Sequence, residues 1–504
     1  MIIFALCLQF FCTQHTLGLS EPTSIVRDRL VDTAVRLVTS NEMIVGCIEG
    51  LECIMLEGAF HAKTGNLRRA WITFRKATVV AQLMKMDLPN PPPVEARGAN
   101  IRLNSKLMWF RICYMDSFLS LMLGLPHVGQ DTNMEIGVVD ETPSSKLQRA
   151  HTHIARRIIE RNRREASSHD LTATRQLDRE LLEIANALPE TFWVCPDFAN
   201  LRPNTRESFL ESLRLCDHLH HYNLVHLLHL PYLLRSEEES SYHTYSKITC
   251  VNASREIITR FISWSNANRD MFAVYCRIGD FFALMAGITV LLAHIDSHKF
   301  QVEDWRTHQR IADRTLVRHL LEIYEKVGMN THDKLTRKSA EQLRALLDIE
   351  RGAAEGIVSS AQGTVSCLEH HCGEVRLLIP YFGIINIGRE GVTMDKPVGL
   401  DGSQHVPAAM PDCVHAANHF LSTVGFGDAM HQNSLATSYM PIQDVQSVPS
   451  ALNASDDVEP QQLQYPGMAA SLNDWAFQGV DAAFFDSLIR GATDWEPAIE
   501  GTGT

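Results

Sequence analysis

Helical periodicity constrains this chain more than any other feature. Between residues 67 and 84, apolar side chains recur at spacings of three and four, which places them on one face of a helix. A charged periodic stretch at 304–355 predicts two helices broken near Gly328. Residues 375–387 are rich in β-favouring side chains, but Pro380 interrupts them. Further helix-periodic stretches lie at 104–123, 177–188, 207–230, 246–261 and 271–293. The pattern predicts an all-α, multi-helix body.

Glycine and proline mark where several of these helices end. The stretch 104–123 is apolar nearly all round, which is typical of a helix buried on most sides. We expect it to stop at Gly124, and Pro126 prevents its continuation. Because proline lacks an amide hydrogen, the helix that starts near residue 207 is expected to end at Pro231.

Negative charge is concentrated at the C-terminal end. The whole chain carries a net charge of −13. From residue 401 onward there are thirteen acidic residues and one basic residue, Arg490, a net charge of −12, which leaves −1 for residues 1–400. Neither part has the net basic footprint of a nucleic-acid-binding domain. We therefore expect DNA contact only through another segment or a partner.

The region after the helical body divides into two parts. Residues 391–465 are rich in Ser, Pro, Gln and Asn without periodicity, and we predict a disordered linker. Residues 466–504 interleave acidic residues with aromatic and aliphatic ones: Trp475, Phe477, Phe484, Phe485, Leu488 and Trp495. Such a segment stays solvated alone and folds as an amphipathic helix on a hydrophobic groove. We interpret it as an acidic activation segment. The alternative is a C-terminal helix docked on the body.

Two apolar runs raise the question of membranes or export. The run MIIFALCLQFFC opens residues 1–24 without a preceding basic residue and is too short to span a bilayer. It is read as a core helix or as translated non-coding sequence, with a secretory signal as the remaining alternative. The thirteen residues of 281–293 suit a buried helix. Twelve scattered cysteines without C-x-x-C spacing favour a reducing compartment. No membrane association is expected.

Three segments carry a family resemblance, and the first is GNLRRAWITFRKATVVAQLMKMDL at 65–88. Its matched residues are Gly65, Ala70, Trp71, Arg75, Ala77, Ala81, Gln82 and Leu88. The second is LMWFRICYMDSFLSLMLGLP at 107–126. Its matched residues are Trp109, Tyr114, Asp116, Leu119, Ser120, Leu121, Leu123, Gly124 and Pro126. The third spans three predicted helices within 176–258. Its matched residues are Leu188, Pro189, His218 or His221, Tyr222, Leu228, His229, Pro231, Cys250, Ala253 and Arg255.

Together these segments resemble, in order, the middle homology region of fungal transcription factors of the binuclear zinc-cluster type. This region is also described as the regulatory domain of xylanolytic transcriptional activators. The resemblance covers 25–390 and implies a helical regulatory domain. In the second segment, Ser117 and Leu125 stand where the family usually has arginine. We therefore expect the Asp–Arg pair of that helix, and its local charge network, to be missing. We interpret the matched aromatic residues as core packing.

The resemblance implies regulation of DNA-templated transcription in the nucleus. Intact family members bind zinc and DNA through a six-cysteine cluster, and that pattern is not in this sequence. The chain is thus expected to begin inside the regulatory domain and to hold no cofactor itself. Transcription coactivators or mediator-type complexes are the expected partners, and self-association is left open.

The sequence was also compared with the patterns of metal sites and enzymes, which would give this chain a different function. His218, His220, His221, His226 and His229 crowd one predicted helix, and pairs one turn apart could chelate a metal. The segment CLEHHC at 367–372 has similar residues at non-standard spacing. We favour hydrogen-bonded histidines over a metal site. No nucleophile elbow, phosphate loop or dinucleotide fingerprint is present, so we expect a non-enzyme. The alternatives are a helical interaction protein without DNA binding, or a secreted helical enzyme.

Overall fold

The computed structural model describes most of the helical body in thirteen ranges. These are 1–8, 20–95, 102–128, 142–163, 171–202, 205–234, 240–267, 277–300, 308–331, 334–359, 375–379, 383–388 and 391–394. The CLEHHC segment, almost all of the predicted linker and the predicted activation segment lie outside the described residues.

The first third of the described chain is a helical layer. Its elements are α1 (Ile2–Leu8), α2 (Thr23–Ala34) with a π-helical turn (Val35–Thr39), α3 (Glu42–Val45), α4 (Ile48–Lys63) and α5 (Leu67–Leu83). A short ladder follows, β1 (Val94–Glu95) with β2 (Arg102–Leu103). Ala5 of α1 packs with Val31 of α2 and Phe60 of α4. The start of the apolar N-terminal run is therefore a packed helix.

Nine helices build the rest of the described body. They are α6 (Ser105–Leu123), α7 (Pro143–Arg163), α8 (Leu171–Asn186), α9 (Glu190–Trp193), α10 (Arg206–Leu233), α11 (Ser240–Ala267), α12 (Arg277–Phe300), α13 (Arg310–Thr331) and α14 (Lys334–Ser359). A single 3₁₀ turn, Phe198–Asn200, lies between α9 and α10. The predicted all-α class is confirmed.

The ends of α6 agree with the sequence prediction. Asn104 caps its first turn, because its side-chain oxygen accepts a hydrogen bond from the Leu107 amide at 3.1 Å. Gly124 ends the helix with φ 70°, in the left-handed region that favours glycine. Trp109 is 5 % exposed and belongs to the main core. The predicted burial of this helix is confirmed.

One predicted helix end is wrong, and another is shifted by three residues. Helix α10 passes through Pro231 and ends at Leu233, although proline removes one intrahelical hydrogen bond. Burial of Pro231 and a 2.6 Å hydrogen bond between Tyr232 and Thr174 offset that loss. The two helices predicted at 304–355 are confirmed, with the break three residues after Gly328, because α13 ends at Thr331 and α14 begins at Lys334. A Cβ atom at Gly328 would lie 2.8 Å from Cγ of Arg337. This glycine serves the close approach of α14 and does not end the helix.

Helix α12 forms the centre of the body. It packs against α10, α11, α13 and α14, and most of its side chains are fully buried. Residues 278–297 are long and apolar enough to cross a membrane by composition, with a mean hydropathy of 1.9. However, 89 % of that stretch is buried against the protein. The prediction of a buried core helix is confirmed, and its length is explained by neighbours on every side.

A small antiparallel sheet completes the described fold. Its strands are β3 (Val375–Ile379), β4 (Gly383–Gly388) and β5 (Gly391–Met394), in that order. Alternate residues Ile385 and Ile387 of β4 are fully buried in the main core. The β-favouring stretch of the sequence therefore does form strands on either side of Pro380. Strand β5 also lies beyond residue 390, where the linker was predicted to begin.

Candidate regulatory site

The first two family segments meet between α5 and α6. Trp71 of α5 donates its indole N–H to the Ser120 hydroxyl of α6 at 2.9 Å. The Ser120 hydroxyl in turn donates to the carbonyl of Pro126 at 3.0 Å. The Arg75 guanidinium lies 4.6 Å from the centre of the Trp71 ring, in a cation–π contact. Residues 40 or more positions apart in sequence are thus joined in one network.

A buried carboxylate anchors this network. Asp116 of α6 has a fully buried side chain, and Arg75 approaches it at 2.8 Å through Nε. The backbone amide of Val128 donates to its other oxygen at 2.8 Å. Burial raises the pKa of Asp116, although the Val128 amide and the Arg75 charge act in the opposite direction. Arg75 also donates to the Pro126 carbonyl, so it ties the turn after α6 to α5.

The Asp–Arg pair within α6 is absent, as expected, but the expected loss of the local charge network is wrong. Ser117, which stands in place of the family's arginine, accepts a 2.9 Å hydrogen bond from Nε of Arg156 in α7. The Arg156 charge also opposes the rise in the pKa of Asp116 that burial causes. The cations come from neighbouring helices, so the charge network does not depend on an arginine within α6. We call Trp71, Arg75, Asp116, Ser120 and Pro126, with the Val128 amide, the α5–α6 network.

The remaining residues of the family motifs have mostly structural positions. Gly65 has φ 83° in the turn before α5, and Ala70 is fully buried. Gln82 is exposed at the end of α5 and does not join the network. The Arg260 guanidinium lies over the ring of Tyr222 in α10, 4.5 Å from the centre of that ring. These positions agree with the interpretation of the motifs as packing residues.

The histidines of α10 point to different protein partners. Nε2 of His218 donates to the Phe192 carbonyl at 2.6 Å. Nε2 of His226 lies 2.8 Å from the Thr289 hydroxyl, and Nε2 of His229 lies 3.1 Å from an oxygen of Asp178. Nδ1 of His221 faces Nε2 of His151 at 3.1 Å. Within the described ranges, no group of three His, Cys, Asp or Glu side chains is placed to hold a metal ion.

Burial keeps five of the rings around α10 neutral near pH 7. Desolvation lowers the pKa of His218 and of His220 to about 3. The same cause lowers the pKa of His221 and of His226 to about 4, and that of His151 well below its ordinary value. Neutral imidazoles in these positions serve as buried hydrogen-bonding groups.

A polar cleft of about 360 Å³ opens on one side of α10, facing α8 and α11. Its two carboxylates are engaged within the protein. Asp178 accepts from Tyr245 at 2.6 Å and faces His229, while Glu256 pairs with Arg260. Trp193 stacks on His218 at the same cleft, with ring centres 5.3 Å apart. The rest of the lining mixes aromatic, aliphatic and amide side chains.

An apolar cavity of about 150 Å³ lies where α6, α10, α11 and α12 meet. Five of its eleven lining residues carry rings: Tyr114, Phe118, His220, Trp264 and Phe282. Nδ1 of His220 lies 2.8 Å from the Tyr114 hydroxyl, whereas its Nε2 is buried without a hydrogen-bond partner. Sequence reasoning did not find this cavity, because periodicity assigns each ring to a helix face but does not say which faces meet.

Comparison with known proteins places this fold among transcription regulators. The dehydrocurvularin biosynthesis regulator of Aspergillus terreus is 35 % identical over 97 % of this chain and 72 % of its own length. A regulator of the same name from Alternaria cinerariae is 32 % identical over 94 % of this chain and 70 % of its length. The probable transcription factor gsfR1 of Penicillium aethiopicum is 33 % identical over 98 % of this chain and 73 % of its length.

No protein-family model and no solved structure matches the chain. The agreement with regulators nevertheless runs through all three motif segments, because the alignments cover nearly the whole sequence. A helical body with the α5–α6 network fits the regulatory region that these motifs imply. The chain belongs to the fungal transcription factors of the binuclear zinc-cluster type, and it acts in transcriptional regulation.

Proposed function

We propose that this chain controls the transcription of genes for one small-molecule biosynthetic pathway. The observation that carries the proposal is the alignment of 97 % of the chain with a protein named as a biosynthesis regulator. Within the proposal the helical body is the regulatory part and performs no catalysis. The protein works in the nucleus, and zinc and DNA are bound through a cluster outside this sequence or through a partner.

Disruption of the gene in its source fungus tests this proposal. We expect transcripts of one set of pathway genes to fall, together with their small-molecule product. Reintroduction of the intact gene should restore both, and a matched copy that encodes residues 1–465 should not. If the transcript profile of the disrupted strain equals that of the parent, the pathway role is wrong.

Residues 466–504 supply the activating surface in this proposal. Four aromatic residues lie within 475–485, and Asp474, Asp481 and Asp486 oppose their collapse by repulsion and solvation. In a helix starting near Val480, Phe484 and Leu488 share one face. That face suits a shallow hydrophobic groove on a coactivator or mediator-type complex, where binding offsets the entropy of ordering.

A fusion of residues 466–504 to an unrelated DNA-binding domain tests the segment alone. We expect reporter transcription from the fusion, and its loss when Phe484, Phe485 and Leu488 are all replaced by alanine. The matched control replaces Ser471, Gln478 and Ser487 by alanine and should keep most of the activity. A silent parent fusion, or an active triple aromatic variant, favours a C-terminal helix docked on the body.

A further inference from the structure

The cavity between α6, α10, α11 and α12 combines two properties that a well-packed core avoids. Protein interiors leave few voids larger than a water molecule, and this cavity holds about 150 Å³. Buried polar atoms are normally hydrogen-bonded, yet Nε2 of His220 is buried without a partner. Both departures occur at the same place, since the His220 ring lines the cavity.

The hydrogen-bonding state of His220 follows from its one partner. Its Nδ1 lies 2.8 Å from the Tyr114 hydroxyl. When the imidazole is neutral and Nδ1 accepts the hydrogen bond from the Tyr114 hydroxyl, the hydrogen of the ring is carried by Nε2. Nε2 is therefore a donor that needs an acceptor. Phe118 and His151 stand edge-on to the ring at 4.9 and 5.1 Å between centres, and they offer no acceptor oxygen.

Water is a poor occupant of this cavity. A buried water molecule needs two to four polar partners, and the lining offers few polar atoms beyond the imidazole, the engaged Tyr114 hydroxyl and the Cys216 thiol. An apolar cavity of about this volume elsewhere in proteins stays dry and binds benzene. Tyr114, Phe118, Trp264 and Phe282 present rings that favour stacked or edge-to-face contacts with another ring. Cys216, whose residue is exposed, lies at the rim and marks the side open to solvent.

We propose that this cavity binds a single-ring aromatic molecule that carries one carbonyl oxygen, with that oxygen accepting a hydrogen bond from Nε2 of His220. The ring fills the apolar volume between Phe118, Trp264 and Phe282. The carbonyl satisfies Nε2 of His220, the unpaired buried nitrogen among the residues that line this cavity. Binding does not depend on the transcriptional role proposed above.

Acetophenone and α-methylstyrene form a matched pair of probes, because they have nearly the same shape and differ in the carbonyl oxygen. Binding of each to the full chain is measured by calorimetry, with tryptophan emission, to which Trp264 contributes, as a second readout. We expect acetophenone to bind about fivefold more tightly, which corresponds to one neutral hydrogen bond. Equal affinities for the two probes, or no binding of acetophenone, would overturn the proposal.

Two variants locate the site. His220→Asn keeps an atom in place of Nδ1 for Tyr114 but removes Nε2, so we expect the preference for acetophenone to vanish while α-methylstyrene still binds. Met115→Phe fills the cavity from α6 and should abolish binding of both probes. Met108→Phe is the matched control on the same helix, away from the cavity, and should bind like the parent. If Met115→Phe binds both probes as the parent does, the site lies elsewhere and the proposal is wrong.

His220→Asn could also disturb the fold, so folding is checked separately by circular dichroism. Should that variant fail to fold, the affinity ratio of the parent and the Met115→Phe and Met108→Phe pair still decide the matter. A parent ratio near one would then overturn the assignment to His220 without any variant at that position.

Discussion

Two faces of helix α6 differ in how their side chains contact the rest of the protein. On one face, Asp116, Ser117 and Ser120 are all engaged by neighbouring elements through short hydrogen bonds or an ion pair. On the other face, Tyr114 and Phe118 border a cavity and an imidazole that lacks a partner. A polar network that joins several elements holds them in one arrangement, whereas an unfilled site has capacity for a ligand. The comparison shows that one buried helix can support the fold and carry a candidate binding site.

We expect the largest change in stability from acid, because it protonates the buried histidines of α10. The pKa values of His218, His220, His221 and His226 are lowered to about 3 or 4 from an ordinary 6.5. Below pH 6.5 the unfolded chain therefore binds more protons than the folded one, and stability falls as the pH falls. Each histidine contributes up to about 1.4 kcal/mol per pH unit. Chemical denaturation between pH 7.5 and 4.5 measures the slope.

A substitution sharpens this pH prediction. His226→Gln keeps a polar atom near the Thr289 hydroxyl and removes one titrating ring, so the slope should fall by about one proton. His153→Gln, at an exposed position of α7, is the control and should follow the parent curve. A stability that does not change between pH 7.5 and 4.5 would show that these rings are not held neutral by burial.

The core that both faces of α6 share is tested by Trp109→Ala. Trp109 is 5 % exposed in the main core, and deletion of a buried large aromatic side chain costs about 3–5 kcal/mol. Thermal and urea unfolding of the full chain should show this loss. An unchanged melting curve would mean that the indole ring does not occupy the core.

The α5–α6 network is tested by Arg75→Ala. Removing one partner of a fully buried ion pair costs about 3–5 kcal/mol, and without Arg75 the Asp116 carboxylate keeps only the Val128 amide and the Arg156 charge beside it. Since the Arg75 side chain is 27 % exposed, we expect the low end, about 3 kcal/mol. The double variant Arg75→Ala with Asp116→Asn should recover part of the loss. Additive effects of the two substitutions would contradict a direct interaction.

Close packing of α4 on α5 gives a smaller effect. A Cβ atom at Gly58 would lie 2.6 Å from the Phe74 ring, so Gly58→Ala should cost about 1–3 kcal/mol through overpacking. Gly46→Ala is the matched control, because no atom lies within 4 Å of its added Cβ. Equal stability of the two variants, measured by urea unfolding, would show that α4 and α5 are farther apart.

Local features of this fold could be predicted from the sequence. The burial of α6 and its end at Gly124 follow from apolar residues on nearly every side and from a glycine at the helix stop. The packing role of Trp71 followed from its helix face. Such features depend on residues a few positions apart, where helix geometry fixes the neighbours.

Features that depend on distant residues could not be predicted in the same way. Asp116 is paired by Arg75, 41 positions earlier, and Ser117 is bound by Arg156, so the missing arginine of α6 gave the wrong expectation. Helix α10 continues past Pro231 because a tertiary partner, Thr174, holds Tyr232. The cavity likewise forms only where four helices meet. The Asp116 ion pair, the end of α10 and the cavity all depend on tertiary packing, which cannot be predicted from apolar periodicity.

Ligand-induced stabilisation compares the two faces of α6 in one measurement. Melting temperatures of the parent, Arg75→Ala and His220→Asn chains are recorded with and without acetophenone. We expect Arg75→Ala to lower the melting temperature yet keep the acetophenone shift, and His220→Asn to lose much of that shift with a smaller loss of stability. Equal acetophenone shifts in the parent and His220→Asn chains, or a shift lost in folded Arg75→Ala, would contradict the separate roles of the two faces.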